Sequence, residues 1–205
     1  MNSALFSVVH GCTRMAFVQS LGLRVFGREN IPRTGGAIIA SNHQSFLDPV
    51  VLGAAADREL RYLARRSLFT NPAFGALIRF LGALELGRDG VDSPGVRAMV
   101  DALKNGDLVV MFPEGTRSVD GEIGRIKSGV GLIARRACVP VVPTALDGLY
   151  KAWPRTRKFP RVRGPVRVAF GEPIIPSEEK SSDEKIHEEL SEKMRRLFQF
   201  IRRKA

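Results

Sequence analysis

The sequence predicts an α/β fold in which helices flank a central, mostly parallel mixed sheet, and three observations predict it. Short apolar runs of strand length alternate along the chain with longer stretches of helical periodicity. Hydrophobic residues make up 44% of the 205, enough for one sizeable core and too many for a disordered chain. No internal repeat, low-complexity tract or linker composition divides the chain. It reads as a single α/β domain over residues 23–205 that ends in an amphipathic helix, preceded by an amphipathic helical segment over residues 1–22.

In the leading segment, His10, Arg14, Gln19 and Arg24 interrupt the apolar stretch short of the ~20 residues that a spanning helix needs. No Lys or Arg precedes Arg14, whereas a secretory signal would place basic residues ahead of its apolar run. Leu5, Val8, Val9, Cys12, Met15 and Ala16 follow helical spacing, with Ser7, Gly11 and Arg14 on another side. This is a helix laid against an apolar surface, either the protein's own core or a bilayer.

Strands are predicted at Leu23 to Phe26, Ala37 to Ala40, Leu60 to Ala64, Ala83 to Leu86, Asp107 to Phe112, Pro140 to Thr144 and Val166 to Phe170. Between them Asp92 to Lys104 reads as a helix, with Asp92 or Ser93 as cap, Pro94 in the first turn and Val96, Met99, Val100 and Leu103 on one face. Asn105-Gly106 closes it. A second helix runs from about Ser128 to Ala137. The last, from about Ser182 to Arg203, puts Ile186, Leu190, Met194, Leu197 and Ile201 on one side and runs from acidic to basic, in line with the helix dipole.

Charge narrows the partners. Lys and Arg number 32 against 21 Asp and Glu, a net charge of +11 that suits an anionic surface. Nucleic acid is not expected, because the chain holds no RNP, KH, zinc-finger or helix-turn-helix signature. Seven basic residues, Lys151, Arg155, Arg157, Lys158, Arg161, Arg163 and Arg167, stand among Tyr150, Trp153 and Phe159 with no acid between them, a pattern suited to an anionic membrane. A second cluster, Arg58, Arg61, Arg65 and Arg66, precedes the apolar stretch Leu68 to Leu81, which either lines a tunnel for an acyl chain or fills the core. Cys12 and Cys138 have neither CxxC nor Cys/His spacing, which argues against a disulfide scaffold and a structural zinc site and fits a reducing compartment.

Two clusters carry chemistry. Asn42-His43-Gln44-Ser45-Phe46-Leu47-Asp48 follows a buried strand, where α/β folds place active sites. On a continuous helix His43 and Asp48 would point ~140° apart. With Asp48 as N-cap and Pro49 at the first helical position, a turn lets the two side chains meet. An imidazole held by a carboxylate through one nitrogen is a general base at the other, and the alternative is a plain cap beside a structural histidine. Phe112-Pro113-Glu114-Gly115-Thr116-Arg117-Ser118 follows a second buried strand. There Gly115 permits close backbone approach, and Thr116, Arg117 and Ser118 are donors suited to phosphate. Arg125, Lys127 and Ser128 add positive charge at the start of the next helix, although Ile126 breaks the register of a nucleotide P-loop. Neither HExxH nor an EF-hand pattern occurs, so no metal is expected.

Asn42 to Asp48 resembles the NHxxxxD motif, and Phe112 to Ser118 the FPEGTRS motif, of the glycerolipid acyltransferases typified by the 1-acyl-sn-glycerol-3-phosphate acyltransferases. Gly82 to Arg88 is similar to the motif between them, departing from it at Glu85 and Gly87. Val139 to Pro143 resembles the fourth. The resemblance implies a glycerol-3-phosphate acyltransferase-like sheet, with His43 held by Asp48 as catalytic base. It assigns the acceptor phosphate to the region of Glu114, Gly115 and Arg117 together with Arg88, which alone would read as a solvated surface charge. Asn42, Thr116, Ser118 and Lys127 complete the expected substrate-binding set.

On this resemblance the reaction moves a fatty acyl group from an acyl thioester to the sn-2 hydroxyl of 1-acyl-glycerol 3-phosphate (lysophosphatidate), giving phosphatidate. No cofactor is implied; acyl-CoA or acyl carrier protein is the co-substrate. No GxSxG elbow occurs, so direct transfer is expected rather than an acyl-serine intermediate. Amides beside Ser45 or near the fourth motif are candidates for the oxyanion donors. The enzyme is expected at the cytoplasmic face of a membrane, peripherally bound. The other readings are a different acceptor, namely glycerol 3-phosphate, a lysophospholipid or a lyso-amino-acid lipid, or a non-catalytic basic protein that binds lipid or nucleic acid.

Overall fold

The computed structural model describes residues 3–80, 82–86, 94–157, 161, 164–176 and 183–204. Seven strands form one sheet: β1 (Arg24–Phe26), β2 (Ala37–Ser41), β3 (Leu60–Arg65), β4 (Ala83–Leu86), β5 (Leu108–Met111), β6 (Val141–Asp147) and β7 (Arg167–Phe170). Their order is β1-β7-β6-β2-β5-β3-β4, and every neighbouring pair is parallel except β6 with β7. Each strand falls where its apolar run lies. β6 continues three residues past Thr144 because β7 pairs antiparallel with Thr144 to Asp147 and keeps that edge hydrogen-bonded.

Helices cover both faces, so the central strands are buried on both sides, as parallel sheets require. α1 (Ser3–Leu21), α2 (Asp48–Ala55) and the short α6 (Leu149–Ala152) pack on one face against Ile39, Val110, Val142 and Val168. α4 (Pro94–Lys104), α5 (Gly129–Ala137) and α7 (Asp183–Arg203) pack on the other against Ile38, Val109 and Val141. The predicted apolar faces of α4 and α7 are the buried ones, Met99 and Leu103 on the first and Ile186, Leu190, Met194 and Ile201 on the second. The proposed caps Asp92 and Ser93, and the start at Ser182, lie outside the described residues.

α3 (Pro72–Phe80) is a helix that the apolar stretch did not announce, although Pro72 stands at its first position. Leu68 there is exposed and Ile78 half-buried, while the side chains of Phe74, Leu77 and Phe80 lie outside the described residues. Two basic residues expected at a membrane are instead structural. Arg58 donates to the carbonyls of Pro32, Gly35 and Gly106, tying loops at the amino end of the sheet, and Arg167 is buried in β7. Arg61 pairs with Asp107 at 3.2 Å. In α1, Val8, Cys12, Met15 and Ala16 point away from the protein, while Phe17 and Leu21 enter the core. No helix among the described residues is long and apolar enough to cross a membrane.

The entry to β2 is the tightest backbone crossing. A Cβ on Gly36 would stand 2.0 Å from the carbonyl oxygen of Leu103, the backbone at the end of α4. Gly53, in α2, faces open space. Gly36→Ala is therefore expected to lower the unfolding free energy by about 2 kcal/mol in urea titration. Gly53→Ala is expected to leave stability unchanged or raise it by up to about 1 kcal/mol.

Candidate active site

β2 and β5 are adjacent and parallel, with Ala40 opposite Met111, so the loops that follow them leave the sheet side by side at its carboxyl end. The first loop carries His43. Its Nδ1 lies 2.6 Å from Oδ2 of Asp48, the first residue of α2. The turn between them brings the pair together as their spacing required, but Asp48 is not the N-cap; Leu47 occupies that position and makes no side-chain cap. Instead of capping its own helix, Oδ2 of Asp48 reaches back and accepts the backbone N–H groups of Gln44 at 2.5 Å and Ser45 at 2.8 Å. Those amides are thereby spent on Asp48, which removes the two next to Ser45 as oxyanion donors.

The Asp48 carboxylate is fully buried, and its Oδ1 meets no hydrogen-bond donor. Burial pushes its pKa above the usual carboxylate range, opposed by the hydrogen bond and charge of His43 and by the two amides. A carboxylate at Nδ1 requires the proton there, so the tautomer leaves the Nε2 lone pair as the basic site. The His43 ring stacks on Phe112 with centroids 4.0 Å apart and planes 16° apart, and its side chain stays 20% exposed. Its orientation is thus fixed at one edge by Asp48 and across one face by Phe112, while solvent and substrate can still reach it.

The second loop is fastened to the first by backbone contacts. Oε1 of Glu114 accepts the N–H of His43 at 2.9 Å, and Oε2 accepts that of Gly124 at 3.0 Å. Burial raises the Glu114 pKa, and these two amides work against that rise. The N–H of Ser118 donates to the His43 carbonyl at 2.7 Å, and the Ser118 hydroxyl donates to Asp120 and accepts the amides of Asp120 and Gly121. Asn42 is fully buried, its amide exchanging two hydrogen bonds with the backbone of Leu146 in β6. Asn42 and Glu114 hydrogen-bond protein backbone, and Ser118 bonds the Asp120 carboxylate and backbone groups, contacts that hold the loops in register.

Glu114, Thr116, Arg117, Ser118 and Lys127 of the expected set line a surface cleft of about 580 Å³, together with Asp120, Glu122, Arg125 and Ser128. Thr116, Arg125 and Lys127 are exposed in it and Arg117 is half-buried. Gly115 adopts φ 71°, and a Cβ there would stand 2.7 Å from Nζ of Lys127, so only glycine lets the ammonium lie over this turn. Arg88 lies outside the described residues. Among the described residues no group of three or more His, Cys, Asp or Glu side chains comes together as a metal site.

Some contacts of the site were not read from the sequence. Phe112 stacks on the base. Gln44 donates to the Gly121 carbonyl and accepts the Tyr150 N–H, and the Ser45 hydroxyl donates to the Trp153 carbonyl. Both lie in the variable positions of the first motif, where only their hydrogen-bonding capacity marked them.

A histidine held by a buried carboxylate, beside a cleft lined by both basic and acidic side chains at the carboxyl end of a parallel sheet, is the arrangement of an enzyme that moves a group onto an acceptor hydroxyl. The chain belongs to the acyltransferase family, whose description matches it over residues 22–147. It is 29% identical over 154 residues to the 1-acyl-sn-glycerol-3-phosphate acyltransferase of Bacillus subtilis, covering 75% of this chain and 74% of that one. It is 35% identical over 156 residues to the chloroplastic enzyme BAT2 of the same name from Brassica napus, covering 74% of this chain but only 44% of the plant protein. The crystal structure of the 1-acyl-sn-glycerophosphate acyltransferase PlsC from Thermotoga maritima superposes with a TM-score of 0.82 at 30% identity, covering 96% of this chain and 79% of that one.

The burial of Asp48 has a sign that can be measured. Because its pKa is raised in the folded chain, the folded state binds that proton more tightly than the unfolded state. Its contribution to stability is greatest below the ordinary carboxylate pKa of about 4 and is lost as the pH rises through the raised value. The stability of the wild type relative to Asp48→Asn is expected to fall as the pH rises above about 4 in urea titrations. A difference that grows with pH contradicts the assignment.

Proposed function

We propose that this chain transfers a fatty acyl group from an acyl thioester to the sn-2 hydroxyl of 1-acyl-glycerol 3-phosphate, giving phosphatidate. One observation carries the reading: the loop that presents Nε2 of His43 is hydrogen-bonded through Glu114 and Ser118 to the loop that presents Arg117 and Lys127. A base and an anion cleft so joined suit an acceptor that carries both a hydroxyl and a phosphate. The names of the similar proteins from Bacillus subtilis, Brassica napus and Thermotoga maritima support the same acceptor.

In the reaction, Nε2 of His43 takes the proton of the acceptor hydroxyl as that oxygen attacks the thioester carbonyl. Asp48 stabilises the imidazolium that forms, and its buried charge, bare at Oδ1, gains the cation it lacks. The tetrahedral intermediate collapses with cleavage of the carbon–sulfur bond, and the thiolate leaves with the proton from His43. Arg117 and Lys127 hold the phosphate, Arg117 by two parallel N–H groups and Lys127 as a point charge. Gly115 and Thr116 shape the same turn, and Arg88 joins them on the strength of the resemblance. No cofactor takes part; the donor is acyl-CoA or acyl carrier protein, both anionic and suited to a chain of net charge +11.

The acceptor is a lipid, and the reading places the enzyme peripherally on the cytoplasmic face of an anionic membrane. Two surfaces support this. The outward face of α1 exposes Val8, Met15 and Val18, and the segment around α6 exposes Lys151 and Arg155 next to Trp153. The leading helix then serves as a membrane-facing unit on a single catalytic domain.

Incubation with long-chain acyl-CoA and 1-acyl-glycerol 3-phosphate in anionic vesicles, followed by thiol release and mass spectrometry, is expected to yield phosphatidate. His43→Ala should lose at least about 10²-fold in rate. The same vesicles should float the protein. Product from the wild type only with an acceptor that lacks phosphate would replace this assignment by another acceptor.

A further inference from the structure

Phe46 is 47% exposed in the middle of the catalytic loop, a position where a large apolar side chain gains little from burial. Its ring is nonetheless held on two sides. The guanidinium carbon of Arg117 lies 3.5 Å from its centroid, and the Trp153 ring lies 5.4 Å away, tilted by 54°. Trp153 is itself fixed, its indole N–H donating to the Arg157 carbonyl and its own carbonyl accepting the Ser45 hydroxyl. Ser45 Oγ also accepts the Leu47 N–H, so the residues on both sides of Phe46 are tied to one atom. The ring is a rigid shelf, and Arg117 lies across it.

We propose that Phe46 is a positioning residue for the substrate phosphate: by stacking under Arg117 it aims the edge of the guanidinium into the cleft. A guanidinium whose face is covered by an aromatic ring keeps its N–H groups in plane at the edge, the geometry that two phosphate oxygens require. The ring narrows the rotamers open to the long Arg117 side chain, so less side-chain entropy is lost when substrate binds. The effect belongs to ground-state and transition-state binding alike, so it appears in KM rather than in kcat. The inference rests on the reading of Arg117 as an acceptor-phosphate ligand.

The test measures acceptor KM and kcat for Phe46→Ala, Phe46→Leu, Phe46→Tyr, Arg117→Ala and the Phe46→Leu/Arg117→Ala double variant. The acceptors are 1-acyl-glycerol 3-phosphate and, as a phosphate-free counterpart, 1-acylglycerol. Phe46→Ala and Phe46→Leu are expected to raise KM for the phosphate acceptor about three- to tenfold, as loss of a cation–π contact implies, with the change concentrated in KM. Phe46→Tyr restores it, and the phosphate-free acceptor is unaffected. In the double variant, Phe46→Leu adds nothing to Arg117→Ala, because the two act as one unit. If Arg117→Ala raises KM and Phe46→Leu does not, the positioning role is overturned while the phosphate reading stands. If Arg117→Ala leaves the phosphate acceptor unchanged, the phosphate reading falls and the inference with it. A loss in kcat shared by both acceptors assigns Phe46 to the donor side and overturns the inference too.

Discussion

One carboxylate oxygen, Oδ2 of Asp48, governs the geometry of the site. It accepts the imidazole Nδ1–H of His43 and the backbone amides of Gln44 and Ser45, three donors from three consecutive residues. A buried charge is tolerable only with such partners, and here the partners are the His43 imidazole and the two peptide units after it. Folding the turn and orienting the base are therefore the same event. Oδ1, buried and without a donor, keeps the carboxylate short of full compensation, which leaves it ready to favour an imidazolium when a proton arrives at Nε2.

Glu114 repeats the logic from the neighbouring strand. Its two oxygens fasten the amides of His43 and Gly124, so an acid from the β5 loop holds the backbone of the β2 loop. Asn42 completes the arrangement by clipping the start of that loop to Leu146 in β6. The base is thus referenced to three adjacent strands, whose parallel register brings their carboxyl ends to one rim. Arg117, Arg125 and Lys127 line the cleft from the same loop that Glu114 fastens, so a structural carboxylate sets the position of the cations.

Much of this was legible in the residues. The seven apolar runs became the seven strands, and the five-residue spacing of His43 and Asp48, unworkable on one helix, required the turn that is observed. The roles of Asn42, Glu114 and Ser118 were not legible. Each is polar and stands in a motif, and only the folded chain shows its partners, which for Asn42 lie 104 residues away. The same holds for Arg58 and Arg167, which composition counts as surface charge and tertiary structure assigns to the interior of the sheet and its loops. The Phe46–Arg117 stack joins two motifs distant in sequence, and no periodicity carries such a pairing.

The central claim is the tautomer, since a base at Nε2 exists only if Asp48 holds the proton at Nδ1. Nitrogen-15 NMR of histidine-labelled protein, with His43 assigned by comparison with a variant at that position, reads it directly at neutral pH. The account predicts a protonated Nδ1 with a strongly hydrogen-bonded, downfield-shifted proton, an unprotonated Nε2, and loss of that proton signal in Asp48→Asn. A protonated Nε2 with an unprotonated Nδ1 would contradict it.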